Sequence, residues 1–151
     1  MKKSLVIMAL LLLCFVAGAI PGGESTSYIK TGDQVYFGQN LKRGLFNTKI
    51  ISSDGTVTKI PNHDVVAYMH DSRLFEYLPV IGESNNILCY SMMEYITTKA
   101  GLRLYHYECP YGTETKSCFF VFKDGKFYLR VDPKNALTVL PFFGITNITV
   151  K

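Results

Sequence analysis

Turn-forming residues recur every few positions along this chain, and only short extended segments fit between them. Asp54-Gly55 and Asp124-Gly125 are tight-hairpin signals, because such turns require positive φ, which Gly adopts freely and Asp tolerates. Pro61-Asn62 and His70-Asp71-Ser72 break further runs, the first because proline cannot donate to a strand ladder. The runs themselves are rich in Val, Ile, Thr, Tyr and Phe, which suit a pleated, half-buried surface. Strands are therefore expected over 34–38, 45–52, 56–60, 65–69 and 73–81, with Pro79 disturbing the last near its end. Within 45–52, alternation puts Phe46, Thr48 and Ile50 on one face. Strands this short and closely spaced curl into a small barrel or a strongly twisted sheet.

A change of period follows. Leu88, Met92, Tyr95 and Ile96 recur at helical spacing. Asn85 or Asn86 can cap such a helix, Gly101 can end it, and Lys99 suits its last turn. Met92 and Met93 then read as core packing. Strands return over 102–108, 118–123 and 126–131, the last with Phe127, Leu129 and Val131 on one face. Asp132-Pro133 reads as the start of a short helix carrying Ala136, Leu137, Val139 and Leu140, distorted by Pro141 and ended by Gly144. The expected fold class is α+β: an N-terminal antiparallel β-meander, one central helix, C-terminal antiparallel strands and a short terminal helix. Residues 32–151 form one domain, and 20–31 a flexible lead-in.

The N-terminus reads as a cleavable signal peptide over residues 1–19. Lys2 and Lys3 precede an uncharged apolar run at 5–16, and Ala17-Gly18-Ala19 is a small-residue cleavage site. The apolar stretch through Ile20 is 16 residues, short of the roughly 20 that a membrane-spanning helix needs. Leu13 before Cys14 departs from a lipobox, which wants a small residue there. Losing the leader takes the chain from 151 residues to 132 and its charge from +4 to +2, a length for one domain. The expected location is the periplasm, the cell surface or the medium. The cations are scattered and form no phosphate-tracking stripe, so nucleic acid is not an expected partner. An integral membrane state is not expected after cleavage.

An oxidising compartment permits disulfides. Cys109 and Cys118 flank the turn signal Pro110-Tyr111-Gly112 and are the candidate bridge, leaving Cys89 as a small buried hydrophobe on the central helix. Ten Tyr and ten Phe build a β-rich core or supply a sugar-stacking or protein-binding surface; Tyr105, Tyr107, Tyr111 and Tyr128 are the candidate surface aromatics. His63, Asp64, His70 and Asp71 sit at opposite ends of one strand, about 20 Å apart at ~3.3 Å per residue, so they do not form a metal set. Cys89 with His106 is the one Cys–His pairing to consider for a nucleophile, and Glu76, Glu94 and Glu108 are the acids to consider for glycoside hydrolysis. Neither carries a local activating motif. Lys42-Arg43-Gly44 is a basic turn, either solvated or docking an acidic partner. Asn147-Ile148-Thr149 fits a glycosylation pattern and reads as chance. No cofactor motif is present.

Several phrases carry a resemblance: Lys42-Arg43-Gly44-Leu45-Phe46-Asn47, Leu74-Phe75-Glu76-Tyr77-Leu78-Pro79, Met93-Glu94-Tyr95-Ile96, Leu102-Arg103-Leu104-Tyr105 and Phe120-Val121-Phe122-Lys123-Asp124-Gly125. In that order and spacing the chain resembles a family of short secreted or periplasmic proteins of Gram-negative anaerobes, to which no activity is attached. The resemblance implies an envelope setting and no catalytic residues. The expected function is a non-enzymatic exported module that binds an envelope protein or a glycan. A small secreted hydrolase and a structural subunit of an envelope assembly are the alternatives.

Overall fold

The computed structural model describes residues 26–111 and 114–146, with the side chains at 110, 111 and 114 outside that description. The leader at 1–19, the first part of the lead-in and the pattern at 147–149 also lie outside the described residues.

The described elements are β1 Ser27–Lys30, β2 Val35–Gly38, β3 Asn40–Arg43, β4 Asn47–Ile51, β5 Val57–Pro61, β6 Ala67–His70, β7 Arg73–Ile81, β8 Ile87–Lys99, β9 Leu102–Tyr111, β10 Glu114–Lys123, β11 Lys126–Val131 and one helix, α1 Ala136–Phe142. A single 3-10 turn, Asn62–Asp64, joins β5 to β6. Two antiparallel sheets result. The large one runs β11-β10-β9-β8-β7-β6-β1-β2, and the small one β3-β4-β5. The fold is thus mainly β rather than an even α+β mixture. The large sheet stays open, with β11 and β2 as edges, and does not close into a barrel.

The expected central helix is instead the longest strand, β8, 13 residues pairing with β7 on one side and β9 on the other. Ile87, Tyr90, Tyr95, Ile96, Thr97 and Thr98 all favour extended backbone. Ala100 and Gly101 both take positive φ, 51° and 76°, which makes them a two-residue hairpin turn. Gly101 therefore ends a strand, not a helix. Met93, off the supposed helical face, is fully buried, and Cys89 is exposed rather than sunk in a core. Lys99 lies over the Phe142 ring of α1, 4.9 Å from its centroid.

The supposed lead-in also carries structure: β1 pairs with both β2 and β6, and its Ile29 is fully buried. The Asp71-Ser72 and Asp124-Gly125 hairpins form with positive φ at both central residues, and Gly55 supplies φ 83° in the Asp54-Gly55 turn. Pro79 is accommodated because β6 pairs with β7 only through Glu76, so its missing donor faces no ladder on that side. A bulge at Tyr128 separates Phe127 from Leu129 and Val131, which overturns their expected common face: Phe127 packs with Phe122, Leu129 with the opposite core. Asp132 caps the turn into α1, its Oδ1 accepting from the Lys134 and Asn135 amides at 2.8 and 3.0 Å. The helix stops at Phe142, one residue past Pro141, with Gly144 at φ 83°.

Three cores hold these layers together. On one face of the large sheet, Ile29 and Tyr68 pack under Leu41, Ile50 and Ile60 of the small sheet. Gly38 permits this approach, since a Cβ there would meet the Ile51 carbonyl oxygen at 2.6 Å. Further along the same face, Leu104, Phe119, Val121 and Val131 pack under Ala136, Leu140 and Phe143 of the α1 segment. On the opposite face, Val80, Ile81, Met93, Tyr105, Phe120 and Phe122 form the third core. All six come from β7 to β10, so the sheet itself supplies both walls by curling. The curl follows from a split: β8 and β9 pair from Lys99–Leu102 only as far as Glu94–His106. Beyond it, the β7–β8 end and the β9–β10 end diverge around this concave core.

Candidate functional site

The face covered by the small sheet at one end and by α1 at the other is only partly covered between them. Strand register places Arg73, Phe75 and Tyr77 of β7, Tyr90, Met92 and Glu94 of β8, His106 of β9 and Ser117 on this strip. Tyr77 and Tyr90 are 50% and 52% exposed, and their rings meet at 5.7 Å. Leu88, two residues along β8 from Tyr90, is 61% exposed. Beside them Tyr68 and Phe75 stack at 4.7 Å and 13°. The Arg43 guanidinium lies 5.1 Å from the Tyr68 ring centroid, and that of Arg73 lies 5.3 Å from Phe75. Arg43 also donates to the Tyr68 hydroxyl at 3.2 Å, so the basic turn is packed onto the sheet rather than simply solvated.

A polar row crosses four strands on the same strip. Arg73 donates from Nε and Nη2 to both oxygens of Glu94, each at 2.7 Å. Those hydrogen bonds, with the charge behind them, hold the Glu94 carboxyl below its usual range. Glu94 Oε2 lies 3.8 Å from His106 Nδ1, and His106 Nε2 lies 3.2 Å from Ser117 Oγ. The order carboxylate, imidazole, hydroxyl is that of a serine-hydrolase relay. The geometry departs from one at two points. The 3.8 Å gap is too long for a hydrogen bond, since Glu94 already serves Arg73 in bidentate fashion. Ser117 stands within the β9–β10 ladder, opposite Glu108, rather than on a sharp elbow that would present it beside oxyanion donors. The row is a polar ladder that fixes the strip's side chains in place.

The three candidate aromatics whose side chains are described form no exposed cluster. Tyr105 is buried, 1% exposed, in the concave core. Its hydroxyl donates to Glu76 Oε2 at 2.5 Å, and burial followed by that contact pushes its pKa up. Arg103 pairs with the same carboxylate at 2.7 Å, making this an internal network. Tyr107 is half-buried against that core, the Tyr111 side chain is outside the described residues, and Tyr128 is 57% exposed at the bulge of β11. A helical period over β8 hides Tyr90, whereas Tyr77 lies on a strand the sequence does announce, and alternation there does not say which stretch of a face stays exposed. The signal for Tyr90 was present as strand alternation, Leu88, Tyr90, Met92 and Glu94 against Cys89, Ser91, Met93 and Tyr95.

His63 and His70 each sit beside their neighbouring aspartate, at 3.3 and 3.4 Å, and His70 also contacts Ser27. No group of three metal-ligating side chains forms among the described residues. Cys89 lies on the part of β8 that has left β9, while His106 contacts Glu94 and Ser117. Among the described residues no helix is long and apolar enough to cross a membrane. No family model, curated protein or solved structure matches this chain.

Proposed function

We propose that this protein is an exported, non-enzymatic binding module of the cell envelope that takes a protein partner on the strip between the small sheet and α1. The observation that carries this reading is the exposed Tyr77–Tyr90 pair, with exposed Leu88 two residues along β8, on a strip otherwise rigidified by arginine–aromatic stacking and the Arg73–Glu94 pair. Tyr and Arg dominate protein–protein hot spots because they bury large area at low entropic cost and keep a polar end. The exposed aliphatic Leu88 favours a protein over a glycan, which would stack on the rings but gain little from leucine.

The test is a photoreactive phenylalanine analogue placed at position 77, 90 or 128 in the native host. Positions 77 and 90 should yield the same discrete protein adduct, and position 128, equally exposed on another part of the surface, should not. Equal adduct patterns at all three, or none at 77 and 90, would overturn the reading. A second reading, a structural subunit of an envelope assembly, is favoured by edge strand β2, where Val35 and Phe37 are exposed. An open edge with apolar side chains is a template for pairing with another chain. Size-exclusion chromatography of Phe37→Lys tests it: a larger species that dissociates supports assembly through this edge, and an unchanged elution rejects it.

A further inference from the structure

Cys89, Cys109 and Cys118 allow three pairings, and strand register separates them. Cys109 faces Lys116 across the β9–β10 ladder and Cys118 faces Tyr107, so the two cysteines are diagonal neighbours on the concave face. Sheet twist shortens one diagonal of each such pair, and here the two thiol groups are in side-chain contact. Cys89 is exposed and opposite Val80, on the diverging part of β8. We propose that Cys109 and Cys118 form a reversible cross-strand disulfide under oxidising conditions, and that Cys89 stays outside it.

The position is where the sheet most needs fastening. Pairing of β9 with β8 ends at His106, and pairing of β10 with β11 ends at Phe119. The outer hairpin, 107–111 with 114–118, is therefore a two-stranded ribbon, an arrangement that is marginal alone. Cys109 and Cys118 join its two strands directly, and Cys118 also packs against the concave core. Near them a groove of about 830 Å³ opens between the β7–β8 turn and β10–β11, lined by Lys116, Cys118, Arg130 and Lys134. The bond would hold one wall of that groove in register.

The chemistry balances with a low-molecular-weight disulfide such as oxidised glutathione. The Cys109 thiolate attacks one of its sulfurs and expels a glutathione thiolate, leaving a mixed disulfide. The Cys118 thiolate then displaces the second glutathione. Two protein thiols give up two protons and two electrons, and the glutathione disulfide leaves as two thiols. Burial pushes the Cys118 thiol up, so it must give up its proton before it attacks, and the intramolecular placement of the mixed disulfide beside it offsets that cost.

The test equilibrates the full chain in glutathione buffers of rising oxidised fraction, alkylates it and digests it with trypsin, which cuts after Lys116 between the two cysteines. The expected product joins peptide 104–116 to peptide 117–123, two hydrogens lighter than the separate thiol forms, while Cys89 in peptide 74–99 is alkylated. Cys89→Ser should keep the linkage, and Cys109→Ser should leave Cys118 alkylated. Alkylated Cys109 and Cys118 in the most oxidising buffer, or a bond made by Cys89, would overturn the proposal.

Discussion

The two ends of the large sheet bury one face by different means, and the strip between them is fully covered by neither. At the β1–β6 end the cover is the three-stranded sheet, with Leu41, Ile50 and Ile60 pressed onto Ile29 and Tyr68. At the β9–β11 end it is the α1 segment, with Ala136, Leu140 and Phe143 pressed onto Leu104, Phe119, Val121 and Val131. Between them the same face carries Tyr77, Tyr90, Glu94 and His106, all at register positions equivalent to the covered ones. Alternation along a strand says which residues share a face. It does not say which stretch of that face another element will reach. The covered ends are apolar, and the strip between them is aromatic and charged, a composition suited to a surface that stays wet until a partner arrives.

The largest test of this contrast lies on the opposite face, in the concave core of β7 to β10. Phe120→Ala should cost about 3–5 kcal/mol, read as a lowered urea midpoint; a loss under about 1 kcal/mol would mean the curl is not cored there. Next, Ile50→Ala and Leu140→Ala should each cost about 2–5 kcal/mol. Because both covers sit on one continuous sheet, each variant should melt in a single transition by fluorescence and by far-UV circular dichroism. Two separated transitions would show that the covers fold independently and break the comparison.

A smaller effect is expected from the strip's polar row. Glu94→Gln should cost about 1 kcal/mol or less, since the Arg73 side chain is largely exposed. The Glu94 carboxyl is held below its ordinary value of 4.5 in the folded protein. Its contribution is therefore whole above that value and fades as pH falls through the lower folded pKa. Melting temperatures of wild type and Glu94→Gln should differ at neutral pH and converge in strong acid; a constant difference would remove the ion pair from the account. Smallest of all, Tyr77→Ser with Tyr90→Ser should change stability by only about 0.5 kcal/mol in thermal melts, while abolishing the adduct expected at this strip. A loss as large as that of Leu140→Ala would make the two rings part of the core rather than a surface.

Much of the strand pattern was legible locally. The limits of β7 and β11 follow from residues 73–81 and 126–131, because a turn stands at one end of each and β-favouring side chains lie between. The cap at Asp132 was legible as well, from a short polar side chain beside a proline. β8 was not, because Leu88, Met92, Tyr95 and Ile96 fit a helical face as well as they fit a strand, and Gly101 suits a helix end or a hairpin alike. Pairing with β7 and β9 decided between them. β1 was hidden by its Gly- and Ser-rich approach, and only its place between β2 and β6 gives Ile29 something to bury against.

The sequence alone determined where the chain must turn, since the φ angles open to Asp-Gly and barred to proline are properties of single residues. It also determined that most of the chain would be extended, since β-branched and aromatic side chains crowd a helix. Only the tertiary structure decided which face of each strand is covered, that Tyr105 is interior while Tyr77 is not, and that Cys89 stands exposed. Those outcomes depend on register, twist and the split between β8 and β9, which arise from contacts between segments far apart in the chain.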